Sequence, residues 1–172
     1  MHISFICKGN ICRSPMAASI ARTYLGRAGL AGRVTVSSAG IEGWNAGSQA
    51  DARAVAVLAR HGYPGDHRAA QVNATHLGAD LLVAMDEGQK NALAKEADPA
   101  RIRLLREFAA PRDGEDLNVP DPYEGEIADF EVTLQLIEAA MPGLISWIRQ
   151  ALAEPGGVSR QPLTEPGPAG SV

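Results

Sequence analysis

Cys7 and Arg13 frame the stretch CKGNICRSP, with a second thiol, Cys12, just before the arginine. Three chemistries compete for such a loop: a structural disulfide, half of a metal site, or a thiolate held against an anion. A disulfide across so few residues would stabilise a fold little, because the loop-closure entropy it removes grows with loop length. Zinc needs further ligands at suitable spacing, and His2, His61, His67 and His76 form no such cluster. No metal and no cofactor is expected. A Walker-type nucleotide loop ends in Gly-Lys-Ser/Thr, which Arg13-Ser14 does not supply.

The anion chemistry fits the residue types. A loop that opens into a helix presents free N–H groups and the positive end of the helix dipole. Gly9, and Asn10 beside it, can take positive φ and let those N–H groups converge. Arg13 adds a planar fork for two oxygens. The same positive surroundings favour a thiolate, the nucleophilic form of cysteine. Cys7 at the base of the cradle, with Ser14 donating to its sulfur, could form a phosphocysteine intermediate. Arg13 and the backbone would neutralise the phosphoryl oxygens. The reaction also needs an acid for the leaving oxygen. Asp121 in NVPDPYEGE fits, stiffened by a proline on each side. On spacing alone a plain Asp-Pro turn is an equally good reading, and Asp113 and Asp116 lie in the same loop.

The elements needed to position these groups are legible around them. Ile3, Phe5 and Ile6 are strand formers, and Ser14-Pro15 reads as an N-cap followed by proline at the first helical position. Met16, Ala17, Ile20, Ala21, Tyr24 and Leu25 follow at helical spacing. Residues 33–38 predict a second strand, 51–60 a helix, 80–85 a strand covered on both faces, 89–96 a helix and 102–105 a short strand. Residues 126–153 carry a long amphipathic pattern that Pro142-Gly143 is expected to kink or divide. The alternation implies an α/β fold with a four-stranded parallel sheet and helices on both faces. In such folds ligands bind at the carboxyl ends of the strands, where CKGNICRSP lies.

At 172 residues the chain accommodates one domain, read as 1–153. From Glu154 onward Pro, Gly and Ser dominate, and the tail, 154–172, is expected to be disordered. A net charge of −4 gives no sign of nucleic-acid or anionic-membrane binding. No apolar run would span a bilayer, and MHISFIC lacks the features of a signal peptide. A cytoplasmic location is expected.

The sequence closely resembles the low-molecular-weight protein tyrosine phosphatases. The resemblance runs from about Ile3 to Leu152 and is carried by CKGNICRSPMA, SSAG with WNAG, DARAVAVLARHG, AMD and DPY, in the family's order and separation. It implies a phosphotyrosine phosphatase with Cys7 as nucleophile, Arg13 as phosphate clamp and Asp121 as general acid and base. Lys8, Gly9, Asn10, Ile11, Cys12 and Ser14 would complete the phosphate loop. Asn10, Ser38 and His67 would form the polar network that holds the loop, with Asp86 as a further support. Ile11, Trp44 and Tyr123 would wall a deep cleft that admits phosphotyrosine and keeps the shorter phosphoserine out of reach. Cys12 would trap an oxidised Cys7 as a reversible disulfide. Phosphotyrosine proteins are the implied partners, and a monomer is expected, with a weak dimer through the active-site face as the alternative.

Two positions depart from many relatives: Glu124 stands where a second tyrosine often follows DPY, and Lys8 where the residue is often uncharged. Both alter the rim of the cleft. Rival activities are arsenate reduction, which would need cysteines beyond Cys12, and phosphoarginine hydrolysis, which goes with a threonine where this chain has Ile11. A silent phosphotyrosine-binding module would be expected to lose the nucleophile, the arginine or the acid.

Overall fold

His2–Cys7 forms strand β1 in the computed structural model, which describes residues 1–110 and 114–154. Helix α1 (Arg13–Arg27), β2 (Thr35–Gly40), α2 (Ala52–Arg60) and α3 (Ala74–Leu77) follow. Then come β3 (Leu81–Ala84), α4 (Glu87–Leu93), β4 (Ile102–Leu104) and α5 (Ile127–Ala153). The four strands are all parallel, in the order β2-β1-β3-β4. The expected α/β sheet is thus present, with β1 central. From β1 the chain first adds β2 on one side, then crosses back to add β3 on the other. The strand order therefore reverses beside the carboxyl end of β1, the position at which open α/β sheets bind ligands.

Both faces of the sheet are covered. Ile3, Phe5, Leu81 and Val83 point into a large core shared with α1, α2 and α5. Ile6, Leu82, Ala84, Ile102 and Leu104 face a smaller cluster closed by Leu93 of α4, with Leu77 of α3 packed against it. This period-two alternation is what a strand buried on both sides requires.

Several boundaries differ from the sequence expectation, each for a local reason. The second strand begins at Thr35 and ends at Gly40, because pairing with β1 continues in register from His2↔Thr35 to Cys7↔Gly40. Helix α4 starts at Glu87, because Asp86 caps it, its Oδ1 accepting from the Gln89 N–H at 2.9 Å. Helix α3 carried no periodic signal; it is a single turn capped by Asn73. The Pro142-Gly143 pair does not divide α5, which runs unbroken for 27 residues. Ile137, Ala140 and Met141 before the proline are buried, as are Leu144, Ile145 and Ile148 after it. Burial on both sides offsets the backbone hydrogen bond that proline removes. Of the tail expected to be disordered, all but Glu154 lies outside the described residues.

Candidate active site

Strand β1 delivers Cys7 to the carboxyl end of the sheet, and the chain turns at once into the loop 8–12 before α1 starts at Arg13. The sulfur of Cys7 lies 2.9 Å from Ser14 Oγ and accepts the Asn10 N–H at 3.2 Å. Ser14 is therefore not the expected N-cap. It sits in the first turn of α1, whose N-cap residue is Cys12 with no side-chain capping bond. A serine there sets its hydroxyl against the Cys7 sulfur instead, and Pro15 still falls in the first turn, where its missing N–H costs no bond.

The strained residue of the loop is Asn10, with φ +56°; Gly9, expected to share that conformation, does not. Asparagine tolerates this region because its side chain bonds locally. Here the Asn10 amide nitrogen donates to Ser14 Oγ at 2.8 Å and to Ser38 Oγ at 3.0 Å. Its Oδ1 accepts from the Ala70 N–H at 2.9 Å, and its carbonyl accepts from His67 Nε2 at 2.7 Å. A carbonyl can only accept, so His67 carries its proton on Nε2. Burial holds the His67 pKa below the ordinary value, against the raising effect of the Asn10 carbonyl. Gly40 explains the end of SSAG: a Cβ there would lie 2.8 Å from the Lys8 carbonyl oxygen and 2.9 Å from the Gly9 carbonyl carbon. The loop 8–12 rests directly on that glycine.

Arg13 is only 3% exposed, and its fork points at two carboxylates. One terminal nitrogen donates to Asp86 Oδ2 at 2.8 Å and to the Val119 carbonyl at 3.1 Å; the other donates to Asp121 Oδ2 at 2.7 Å. Asp86 is fixed in turn by Gln89, which donates to its Oδ2 at 2.5 Å. The segment carrying Asp121 is tied to the end of β3 by the Val119 N–H, which donates to the Met85 carbonyl at 2.7 Å. Of the competing acids, Asp116 accepts from the Asn118 N–H and does not line the cleft, and Asp113 lies outside the described residues.

The cleft that opens over Cys7 holds about 480 Å³ and is lined by Lys8, Gly9, Ile11, Cys12, Arg13, Trp44, Asn45, Asp121, Tyr123 and Glu124. Trp44 is 74% and Tyr123 50% exposed, so these rings serve no core and flank the mouth. Cys12 is buried, and its pKa is pushed up to about 12, first by burial and then by the negative charges of Asp51 and Asp121. It remains a thiol beside Cys7 at neutral pH. Both cysteines are free. Among the described residues no group of three or more His, Cys, Asp or Glu is arranged to hold a metal.

Every site residue expected from the sequence thus lies in the cleft or in the network beneath it. What residue spacing missed were the groups that bond these residues: the Ala70 N–H, the Val119 carbonyl, Gln89 and Arg53. Gln89 had a signal, since an acid followed three residues later by Gln marks a helix start. Backbone groups had none.

A buried thiol held by a backbone N–H and a serine hydroxyl, with an arginine and an aspartate lining the same cleft, can carry out displacement at phosphorus. The comparisons agree. Residues 2–155 match the family model described as low molecular weight phosphotyrosine protein phosphatase. Low molecular weight protein-tyrosine phosphatase A of Mycobacterium tuberculosis is 49% identical over 158 residues, covering 91% of this chain and 96% of that protein. The low molecular weight protein-tyrosine-phosphatase of Streptomyces coelicolor is 45% identical, covering 86% and 93%. Among solved structures, a protein tyrosine phosphatase from Entamoeba histolytica with Hepes in the active site superposes with a TM-score of 0.82 at 28% identity, covering 87% of this chain and 97% of that one. The chain belongs to the low molecular weight phosphotyrosine protein phosphatases and is a protein-tyrosine phosphatase.

Proposed function

We propose that Cys7 is the nucleophile, Arg13 the phosphate clamp and Asp121 the general acid and base of this reaction. The supporting observation is their convergence on one cleft, with the Cys7 sulfur already accepting a backbone N–H. The thiolate attacks phosphorus, an S–P bond forms, and the P–O bond to tyrosine breaks as Asp121 protonates the leaving phenolate. Asp121 then takes a proton from water, the water oxygen binds phosphorus, and the S–P bond breaks to release phosphate and thiolate. Arg13 and the loop N–H groups hold the equatorial oxygens throughout, and Ser14 supports the thiolate as it leaves.

Asn10, Ser38 and His67 keep the loop in its strained shape, and Asp86 keeps Arg13 aimed. Ile11, Trp44 and Tyr123 grip the aromatic ring and set the depth that selects phosphotyrosine. An apolar Ile11 suits that ring better than phosphoarginine. Cys12 closes on an oxidised Cys7: a sulfenic acid formed by peroxide condenses with the Cys12 thiol to a disulfide and water. Among the described residues no helix is long and apolar enough to cross a membrane. The substrates are phosphotyrosine proteins met by a cytoplasmic monomer.

The test is turnover of aryl phosphates. Cys7→Ser abolishes it. Asp121→Asn lowers kcat/KM by about a hundredfold or more when the leaving group is a simple phenol, and by less for an activated, more acidic phenol. Equal losses on both would remove Asp121 from the acid's role.

A further inference from the structure

Arg53 stands outside the cleft lining, yet it makes more directed bonds than any other side chain near the site. Its Nε donates to Asp51 Oδ1 at 3.0 Å and one terminal nitrogen to Asp51 Oδ2 at 2.8 Å, a two-pronged pair. That same nitrogen donates to the Tyr123 carbonyl at 3.0 Å, and the other to the Gly125 carbonyl at 2.7 Å. The guanidinium also lies over two rings, 4.6 Å from the Phe130 centroid and 5.9 Å from that of Tyr123.

Both ends of this cluster reach the reacting groups. On one side the Asp51 N–H donates to the Ile11 carbonyl, inside the phosphate loop, at 2.8 Å. On the other the Tyr123 N–H donates to Asp121 Oδ1 at 3.2 Å. A continuous chain of bonds thus runs from the phosphate loop through Asp51 and Arg53 to the Asp121 carboxylate. Each link is local and short, and planar two-pronged pairing restrains orientation as well as distance. The Arg53 bonds hold the Asp51 carboxyl below its ordinary pKa, so the pair is charged at neutral pH.

We propose that Arg53 is a positioning residue for the reaction, fixing the segment that carries Asp121 to the phosphate loop at the reach needed for proton transfer. The proposal rests on Asp121 being the acid. Arg53 touches neither phosphate nor leaving group in this role, and it acts through the Tyr123 and Gly125 carbonyls. Misplacing a reacting group by an ångström can cost about a hundredfold, so a loose acid segment should be read as weak protonation and not as weak binding.

The experiment compares wild type, Arg53→Gln, Asp121→Asn and the double variant on phenyl phosphate and p-nitrophenyl phosphate, with inorganic phosphate as a competitive inhibitor. Arg53→Gln should lower kcat/KM on phenyl phosphate by about tenfold and on p-nitrophenyl phosphate by much less. Its inhibition by phosphate should stay within about twofold of wild type, because Arg13 and the loop are intact. In the Asp121→Asn background, Arg53→Gln should have no further effect on phenyl phosphate, because the acid it places is gone. Equal losses on both substrates, a parallel loss of phosphate inhibition, or an additive double variant would each overturn the proposal in favour of a general structural role. An unchanged Arg53→Gln enzyme overturns it outright. Arg53→Lys, which keeps the charge and the stem but not the fork, carries the same readings if the Gln variant does not fold. If Asp121→Asn alone shows no leaving-group dependence, the assignment of the acid has failed and the proposal falls with it, whereas a leaving-group effect in Asp121→Asn that Arg53→Gln does not share overturns the proposal alone.

Discussion

The residue of the loop 8–12 with a left-handed backbone is also one whose side chain bonds three partners. Asn10 holds φ +56° while its amide bridges Ser14, Ser38 and Ala70. Conformation and bonding can be separated by substitution. Asn10→Ala loses the bonds and keeps a Cβ in an unfavourable region, at a cost of about 1–2 kcal/mol from the backbone alone. Asn10→Gly relieves that backbone cost and restores none of the bonds. The expected result is a lower melting temperature for Ala than for Gly, with kcat/KM reduced in both. A Gly variant with wild-type activity would show that only the backbone shape matters. Lys8 poses the other question at this scale. It is exposed at the rim and forms no ion pair among those of the described residues. Lys8→Ala should lower kcat/KM more on phosphopeptides with acidic neighbours than on neutral ones, and the preference should fade with added salt. Equal changes in both peptide sets would show that the rim charge does not select.

Elements were legible where one signal dominated and illegible where a partner decided. The β1–loop–α1 unit could be read because an apolar run, a glycine-containing loop and Ser-Pro follow in order. The limits of β2 could not, since SSAG is a strand only through its pairing with β1. Proline chemistry argued for a break at Pro142, and burial of α5 on both sides of it prevailed. Gly143 shows how close that packing is: a Cβ there would collide with the Phe108 carbonyl oxygen. Gly143→Ala must push α5 away from the 105–108 turn and should cost about 3 kcal/mol, measured by chemical denaturation. Activity per folded molecule should change little, because α5 meets the site only at its first turn. The candidate catalytic residues are named by type and spacing together with family resemblance, whereas several of the bonds that fix them run to backbone groups, the Asn10 and Tyr123 N–H and the Val119 carbonyl, which no residue type announces.

At the scale of the molecule, acid should loosen the fold partly through His67. Its pKa in the folded state lies below the ordinary value, so the unfolded chain binds a proton first as pH falls. The stability it contributes is complete above about pH 6.5 and is lost as pH drops through the lower folded value. His76 has the same sign, also from burial. His67→Gln should therefore melt with a shallower decline below that pH than wild type, although it begins less stable at neutral pH. An equally steep decline in the variant would assign the acid sensitivity elsewhere.

The parallel sheet also sorts the two ends of the molecule. Cys7 and Gly40 close the carboxyl ends of β1 and β2 under the cleft. Met1 bonds Arg33 at the opposite edge, and Arg33 in turn donates to the Leu152 carbonyl near the end of α5. Six strand residues separate the two edges, about 20 Å. A linker, dye or solid support attached at Met1 or at Leu152 would consequently sit on the far side from the mouth. The immobilised enzyme would present its cleft outward in either orientation, and surface-coupled preparations made through these two positions should hydrolyse a bulky phosphoprotein at matching rates.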